Sequence, residues 1–482
     1  MNMPDPVSMG AQEPAAGRRG RGWSVWSLPA RLLMAGTMLC AMAGHWGPAA
    51  AQGRQISIVR DTEIEQLLRE YSGPIFRAAG VNASQTDIVL IQDRSFNAFV
   101  ANGRRIFMNV GVLMDADTPN EVIGVIAHET GHIAGGHLAR LRQEMSSAQI
   151  FAAIGMLAGA GAVVGAARSG DRVGNAGLGA AGVFSGGAEM ARRSLLAYQR
   201  SEEQAADRAA VRFLDATGQS SRGMLRTFER FAESAMFSSR SIDPYQISHP
   251  LPTERISQLK TLAEASPHFG SRDNPALQAR HNLARAKLFG FIERFDGIGR
   301  RYPAHDQSIA ARYARAIAAH RSGKMQEALS GIDGLLRDQP GNPHFHELRG
   351  QVLLESGRAQ AAVEPLRRAA RAVPTSGLIR GMLGQALLAS GSPAALDEAI
   401  RELSYAAQRE KELADPHRHL ATAYARKGNI GMAELSAAQA AFLSGDLVSA
   451  QTQATRAIQK LPAGSPGKLR AEDIVNYRPP RT

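Results

Sequence analysis

The sequence predicts an α+β domain followed by an all-α repeat domain, and three observations carry that expectation. Short apolar runs with a turn signal between them precede a helix bearing two histidines. Glycines and prolines recur every 34 residues in the C-terminal half. The composition is that of a folded chain, 44% hydrophobic but only 6% aromatic, which favours helices packed closely through Ala and Gly. At 482 residues the chain is too long for one core, so two or more domains are expected.

The first stretch is read as a removable leader. Arg18, Arg19, Arg21 and Arg31 precede an apolar run from Leu32 to Gly44, then Pro48, Ala49, Ala50, Ala51 and Gln52. This is the pattern of a secretory signal peptide over 1–51, cleaved after Ala51, with an uncleaved anchor as the alternative. Cys40 is the only cysteine and would leave with it, so no disulfide is expected in the mature chain. The formal charge of +12 falls to +10 once the leader's four arginines and two acidic residues are removed. On an exported chain, that excess favours an anionic membrane surface or acidic protein partners over nucleic acid.

Asp61 to Tyr71 is expected as an amphipathic helix, with Ile64, Leu67 and Leu68 on one side. Asp87–Gln92, Phe96–Ala101 and Arg105–Val110 are expected as strands. Asn102-Gly103 between the last two is a two-residue hairpin signal. Thr118, Pro119 and Glu121 then give an N-cap, a proline at the first helical position and a capping-box glutamate. The helix they start carries Ala127-His128-Glu129-Thr130-Gly131-His132 and is expected to continue through Ile133, His137, Leu138 and Leu141.

Residues 150–187 are Gly/Ala-rich, two apolar arms around a polar tip at Asp171 and Arg172. They are expected to form a hairpin insertion that covers the active site or touches a membrane surface. Leu195 to Leu214 and Gly223 to Phe237 are expected helices, Ser248 to Pro252 a loop, and Thr253 to Leu262 a helix. These elements place a catalytic domain over 52–265 and linker helices over 266–307. From 308 to 460, Gly323, Gly357 and Gly391 are spaced by 34, as are Pro340 and Pro374, and Leu348–Gly357 aligns with Met382–Gly391. Ala328, Ala362 and Ala399 take the small position where paired helices approach. This is the tetratricopeptide signature of helix pairs stacked as a solenoid. Residues 461–482, with four prolines, are expected as a tail.

Two histidines four apart on a helix can reach one metal ion, and the glutamate between them can contact a metal-bound water. His128 and His132 are thus expected ligands, and Glu129 the general base. A third ligand is needed. His137 is one residue short of the spacing that a downstream ligand histidine would take, so it is read as structural. Glu203 is the better candidate, with Asp207 one turn on, placed to orient a ligand histidine. Glu202 is expected to point elsewhere. His249 and Arg255 are candidate donors to the oxyanion that peptide cleavage develops, and His249 could instead cap the open metal position and hold the enzyme latent.

With His128, Glu129, His132, Glu203 and Asp207 in this arrangement, the sequence resembles the HtpX and CAAX-prenyl-protease family of gluzincins, and especially its exported members with tetratricopeptide repeats. Asn97–Ala101 with Gly103, Ser248-His249-Pro250 and Arg255-Ile256 extend the likeness. It implies a zincin-like fold and one Zn2+ per chain, bound by His128, His132 and Glu203. It also implies a periplasmic endopeptidase that degrades misassembled outer-membrane or envelope proteins and assists their assembly. Polypeptides are the expected substrates. The outer-membrane assembly machinery and a membrane surface are possible contacts, and nucleic acid is not expected. The rival reading is a binding or chaperone module with a latent protease.

Overall fold

The structure is a computed structural model that describes residues 57–101, 103–141, 143, 199–237, 249 and 253–479. The expected signal peptide and the hairpin insertion at 150–187 lie outside the described residues.

Four strands form one sheet in the order β1-β2-β4-β3: β1 (Ile58–Val59), β2 (Asp87–Ile91), β3 (Ala98–Ala101) and β4 (Arg105–Asn109). β2 and β4 run parallel from Asp87 opposite Arg105, while β1 and β3 are antiparallel to their neighbours. β3 and β4 form the expected antiparallel hairpin, but three residues rather than two separate Ala101 from its partner Arg105, with Gly103 at φ +68°. Phe99 faces Phe107 across it, and their rings stack at 5.4 Å. β3 is left as an edge, and this edge faces the functional centre.

Helix α1 (Thr62–Ala78) starts on the N-cap Asp61 and runs a further two turns past Tyr71. Pro74 does not stop it, because burial of Ile75 and Phe76 holds the last turns on the core. After the short α2 (Val110–Asp115), α3 (Pro119–Gly135) begins as expected: Thr118 caps it and Pro119 is at its start. Its end differs from expectation. Gly136 adopts φ +67°, ψ 26° and breaks the helix before a new turn over 137–141.

α4 spans 199–216 within the described residues, followed by α5 (Arg222–Phe237), α6 (Thr253–Glu264) and α7 (Pro275–Ile292). Two glycines let these helices meet α3. A methyl at Gly131 would stand 2.9 Å from the Ala206 carbonyl of α4, and one at Gly124 would stand 2.7 Å from Met224 Cβ of α5. Both distances are far inside van der Waals contact, so close approach is built into α3.

Beyond α8 (Phe295–Arg301), ten helices follow as pairs: α9 (Ile309–Arg321) with α10 (Met325–Asp338), α11 (Pro343–Glu355) with α12 (Ala359–Ala372), α13 (Gly377–Ala389) with α14 (Leu396–Arg409), α15 (Asp415–Arg426) with α16 (Ile430–Leu443), and α17 (Leu447–Lys460) with α18 (Pro466–Asn476). Gly323, Gly357, Gly391 and Gly428 turn the chain within the first four pairs at φ +72° to +77°. The expected small residues Ala328, Ala362 and Ala399 are fully buried.

Two boundaries differ from the sequence reading. The 266–307 segment is more than a linker: along α7, Ala284, Leu288 and Phe289 join the core of the sheet region, while Leu283 and Ala286 join the core of the repeats. The segment after Leu461 is a helix rather than a tail. Ser465 caps it, Pro466 sits in its first turn, and Ala471 and Ile474 bury against α16 and α17.

Candidate metal centre

Four side chains converge between α3, α4 and the segment before α6. His128, His132, Glu203 and His249 each offer a ligand atom, and these atoms lie within 4.8 Å of one another. The helical spacing of the first two puts their Nε2 atoms 3.1 Å apart. Glu203 reaches across from α4, with Oε2 3.4 Å from His128 Nε2 and Oε1 3.3 Å from His132 Nε2. His249 completes the group, its Nδ1 3.1 Å from Glu203 and 3.3 Å from His128 Nε2. Its Nε2 lies 3.2 Å from the carbonyl of Ala98 on the edge strand and 3.3 Å from Glu129 Oε1.

Behind these atoms stands a braced second layer. Asp207 Oδ1 lies 3.0 Å from His128 Nδ1, an oblique ion-pair contact rather than an aligned hydrogen bond. Arg255, 2% exposed, donates from Nε to Asp207 Oδ2 at 2.6 Å and from Nη2 to Oδ1 at 2.8 Å, and its Nη1 lies 2.8 Å from Glu203 Oε2. The Phe228 ring covers the guanidinium at 5.1 Å.

The electrostatics suit a cation. Burial alone would raise the pKa of Glu203, but the imidazoles of His249, His128 and His132 hold it well below the usual carboxylate range. Asp207 is likewise lowered against burial by Arg255 and His128. Burial disfavours charge on His128, yet its contacts with Asp207 and Glu203 outweigh that and push its pKa up to about 9. The same carboxylates that draw a proton onto His128 can draw a metal ion in its place. Glu129 adds a second sign: it is fully buried, and neither carboxylate oxygen has a hydrogen-bond partner among the described residues. Such a group is costly unless an ion, water or substrate meets it. Two imidazoles and a carboxylate with nitrogen and oxygen donors facing inward fit a metal ion of the zinc type.

The structure brings the expected site residues together, with one change of position and one addition. Arg255, a candidate oxyanion donor, lies against the carboxylates of Asp207 and Glu203. Glu202 is not among the converging ligand residues, as expected, but its Oε2 is 2.7 Å from His137 Nε2, and His137 Nδ1 is 2.8 Å from His132 Nδ1. The sequence signal for this was Gly135-Gly136, a helix break just before His137.

Residues 59–263 match the model of peptidase family M48. Among curated proteins the chain is similar to the β-barrel assembly-enhancing proteases of Yersinia pestis (24% identity over 59% of this chain and 58% of the relative) and of Escherichia coli strain K12 (26% over 60% and 58%). A putative β-barrel assembly-enhancing protease of Vibrio cholerae matches equally, at 26% over 60% and 58%. The matches thus span about three fifths of the length of these relatives.

Proposed function

We propose that this chain is a zinc-dependent endopeptidase of the periplasm that cleaves unfolded or misassembled envelope proteins, with a tetratricopeptide solenoid that holds them or their assembly machinery. The observation that carries this reading is the buried carboxylate of Glu129, met by His249 at 3.3 Å but by no hydrogen bond among the described residues, beside the convergent His128, His132 and Glu203. The M48 match and the likeness to β-barrel assembly-enhancing proteases support it. The zincin-like fold and the solenoid belong to the same proposal, supported by the mixed sheet beside α3 and by the five helix pairs.

Zinc held by His128, His132 and Glu203 would supply a water of lowered pKa and polarise the scissile carbonyl. Glu129 would take up a proton on a carboxylate oxygen and return it to the leaving amine. Asp207 holds His128 in place, and Arg255 neutralises Asp207 and Glu203; this bracing suits its position better than oxyanion donation. The edge strand β3 offers its main chain to an extended substrate, which lets varied sequences bind. Phe99 and Val100 of β3, with Leu138 and Leu141, line a cavity of about 170 Å³ that also reaches Glu129 and His132. An apolar substrate side chain fits there.

His249 occupies the place a substrate needs. Its Nδ1 sits among the ligands while its Nε2 holds Ala98, whose carbonyl belongs to the edge that would pair with substrate. This arrangement supports a latent resting state. It also keeps a second reading alive, in which the solenoid does most of the work and hydrolysis is rare.

Replacing Glu129 tests the main reading. Glu129→Gln should keep its metal and lose about 10²–10⁴ of its peptide-cleaving rate, the usual share of general acid–base catalysis. Full cellular function in that variant would favour the binding module instead.

A further inference from the structure

We propose that His137, Glu202 and Arg140 form a relay that fixes the tautomer and orientation of His132, so that each is a positioning residue for the metal centre. The inference rests on the metal-binding reading above and extends it to residues that carry no ligand atom.

The chain of contacts is short at every step. His132 Nδ1 and His137 Nδ1 are 2.8 Å apart, with their rings edge to face at 4.9 Å. His137 Nε2 lies 2.7 Å from Glu202 Oε2. Arg140 Nη2 donates to the same oxygen at 2.7 Å and its Nε to Oε1 at 3.3 Å, while Nη1 donates to the carbonyl of Gly135. His137 is buried and Glu202 mostly so, while Arg140 is about half exposed.

The direction of the hydrogen bonds follows from chemistry. An ionised carboxylate only accepts, so Nε2 of His137 carries the proton. A neutral His137 then presents a lone pair at Nδ1. The His132 nitrogen 2.8 Å away must donate to it, which leaves the lone pair of His132 on Nε2. That atom is the one facing His128 Nε2 at 3.1 Å and Glu203 Oε1 at 3.3 Å. Were the relay reversed, Nε2 would carry a proton into the ligand cluster and could not bind metal. The two ligand histidines are therefore supported alike: His128 by Asp207 and Arg255, and His132 by Glu202 and Arg140 with one imidazole between.

The backbone is built for this contact. On a continuous helix, five residues are a rotation of about 500°, so His137 would project some 140° away from His132. Gly136, at φ +67°, ends α3 and turns the chain so that His137 folds back. Gly135 leaves the space the ring takes, since a methyl there would collide with it.

Metal affinity of the full chain, measured by chelator competition with Zn2+ and by the visible spectrum with Co2+, tests the relay without reference to turnover. His137→Phe keeps the ring volume and removes both nitrogens; Glu202→Ala removes the anchor. Each should weaken affinity by about 10–100-fold, the usual effect of losing an outer-layer partner. The Co2+ bands should move, and the double variant should be no worse than His137→Phe alone. His137→Gln, whose amide oxygen can still accept from His132, should recover part of the loss. Wild-type affinity in a folded His137→Phe protein, or fully additive effects in the double variant, would overturn the relay while leaving the metal site standing. A wild-type chain that binds no metal would instead overturn the reading on which it rests.

Discussion

His249 shows how one side chain can decide whether this centre is open. Its pKa is raised against burial by Glu203 and Glu129. Removing it separates two roles that its position allows. If the ring caps the metal, His249→Ala should raise basal cleavage of a peptide or of the chain itself. If it stabilises the oxyanion, kcat should fall by about 10²–10³ instead. The assay compares initial rates at equal zinc content, and a large fall at unchanged occupancy ends the latency reading. Residue types and spacing were enough to name His128, His132, Glu203, Asp207 and His249. They could not assign Arg255 or Glu202, because a charged side chain's partner depends on which helix lies opposite.

At the scale of elements, one buried histidine ties α7 to the sheet region. His281 accepts at Nδ1 from the Tyr71 hydroxyl of α1 at 3.0 Å and donates from Nε2 to the Ala116 carbonyl at 3.0 Å. The first bond needs the neutral ring, whereas a protonated ring could still donate to Ala116. Burial pushes its pKa down to about 4, with nearby Arg285 lowering it and Asp117 raising it. A depressed pKa in the folded state means that stability is fully present above about pH 6.5 and is lost as pH falls towards 4. The loss is on the order of 3 kcal/mol, since a tenfold change in proton affinity between the folded and unfolded chain is worth about 1.4 kcal/mol. Denaturant titrations from pH 7 to 4 should show this slope in the wild type and a flatter one in His281→Gln. Equal slopes would refute the assignment. Linker helices over 266–307 were legible from the sequence, but the two-sided burial of α7 was not.

Across the whole molecule, the repeats return to the sheet region and hold it at several points. Lys287 of α7, 6% exposed at its side chain, lies 2.6 Å from Asp61, 3.4 Å from Glu63 and 3.9 Å from Glu347 of α11. Tyr313 donates to Glu63 at 3.1 Å, and Thr62 meets Ser376 at 2.7 Å. Further out, Arg60 pairs with Glu410 at 2.5 Å and Arg105 with Glu412 at 3.2 Å. The exposed pairs contribute little, whereas the buried ammonium offsets three carboxylates. Lys287→Met should therefore cost about 3–5 kcal/mol of stability. It should also speed amide exchange at 61–63 and 343–347. An unchanged midpoint of unfolding would show that the cluster is not what joins the two regions.

The sequence alone determined the parts whose cause is local. A cap, a proline and a glutamate start α3 wherever it lies, helical geometry sets two histidines side by side, and a 34-residue glycine period stacks helix pairs in order. The start of α3, the convergence of His128 and His132, and the paired helices were legible for that reason. Tertiary structure alone decided what depends on residues far apart in the chain. Gly131 and Gly124 bring α4 and α5 against α3, and that approach gives Arg255 its carboxylates. Gly136 bends the chain so that His137 meets His132, and the returning repeats turn a supposed linker into a shared wall. A side chain's type and period can be read in order along the sequence, but its partner is chosen by packing.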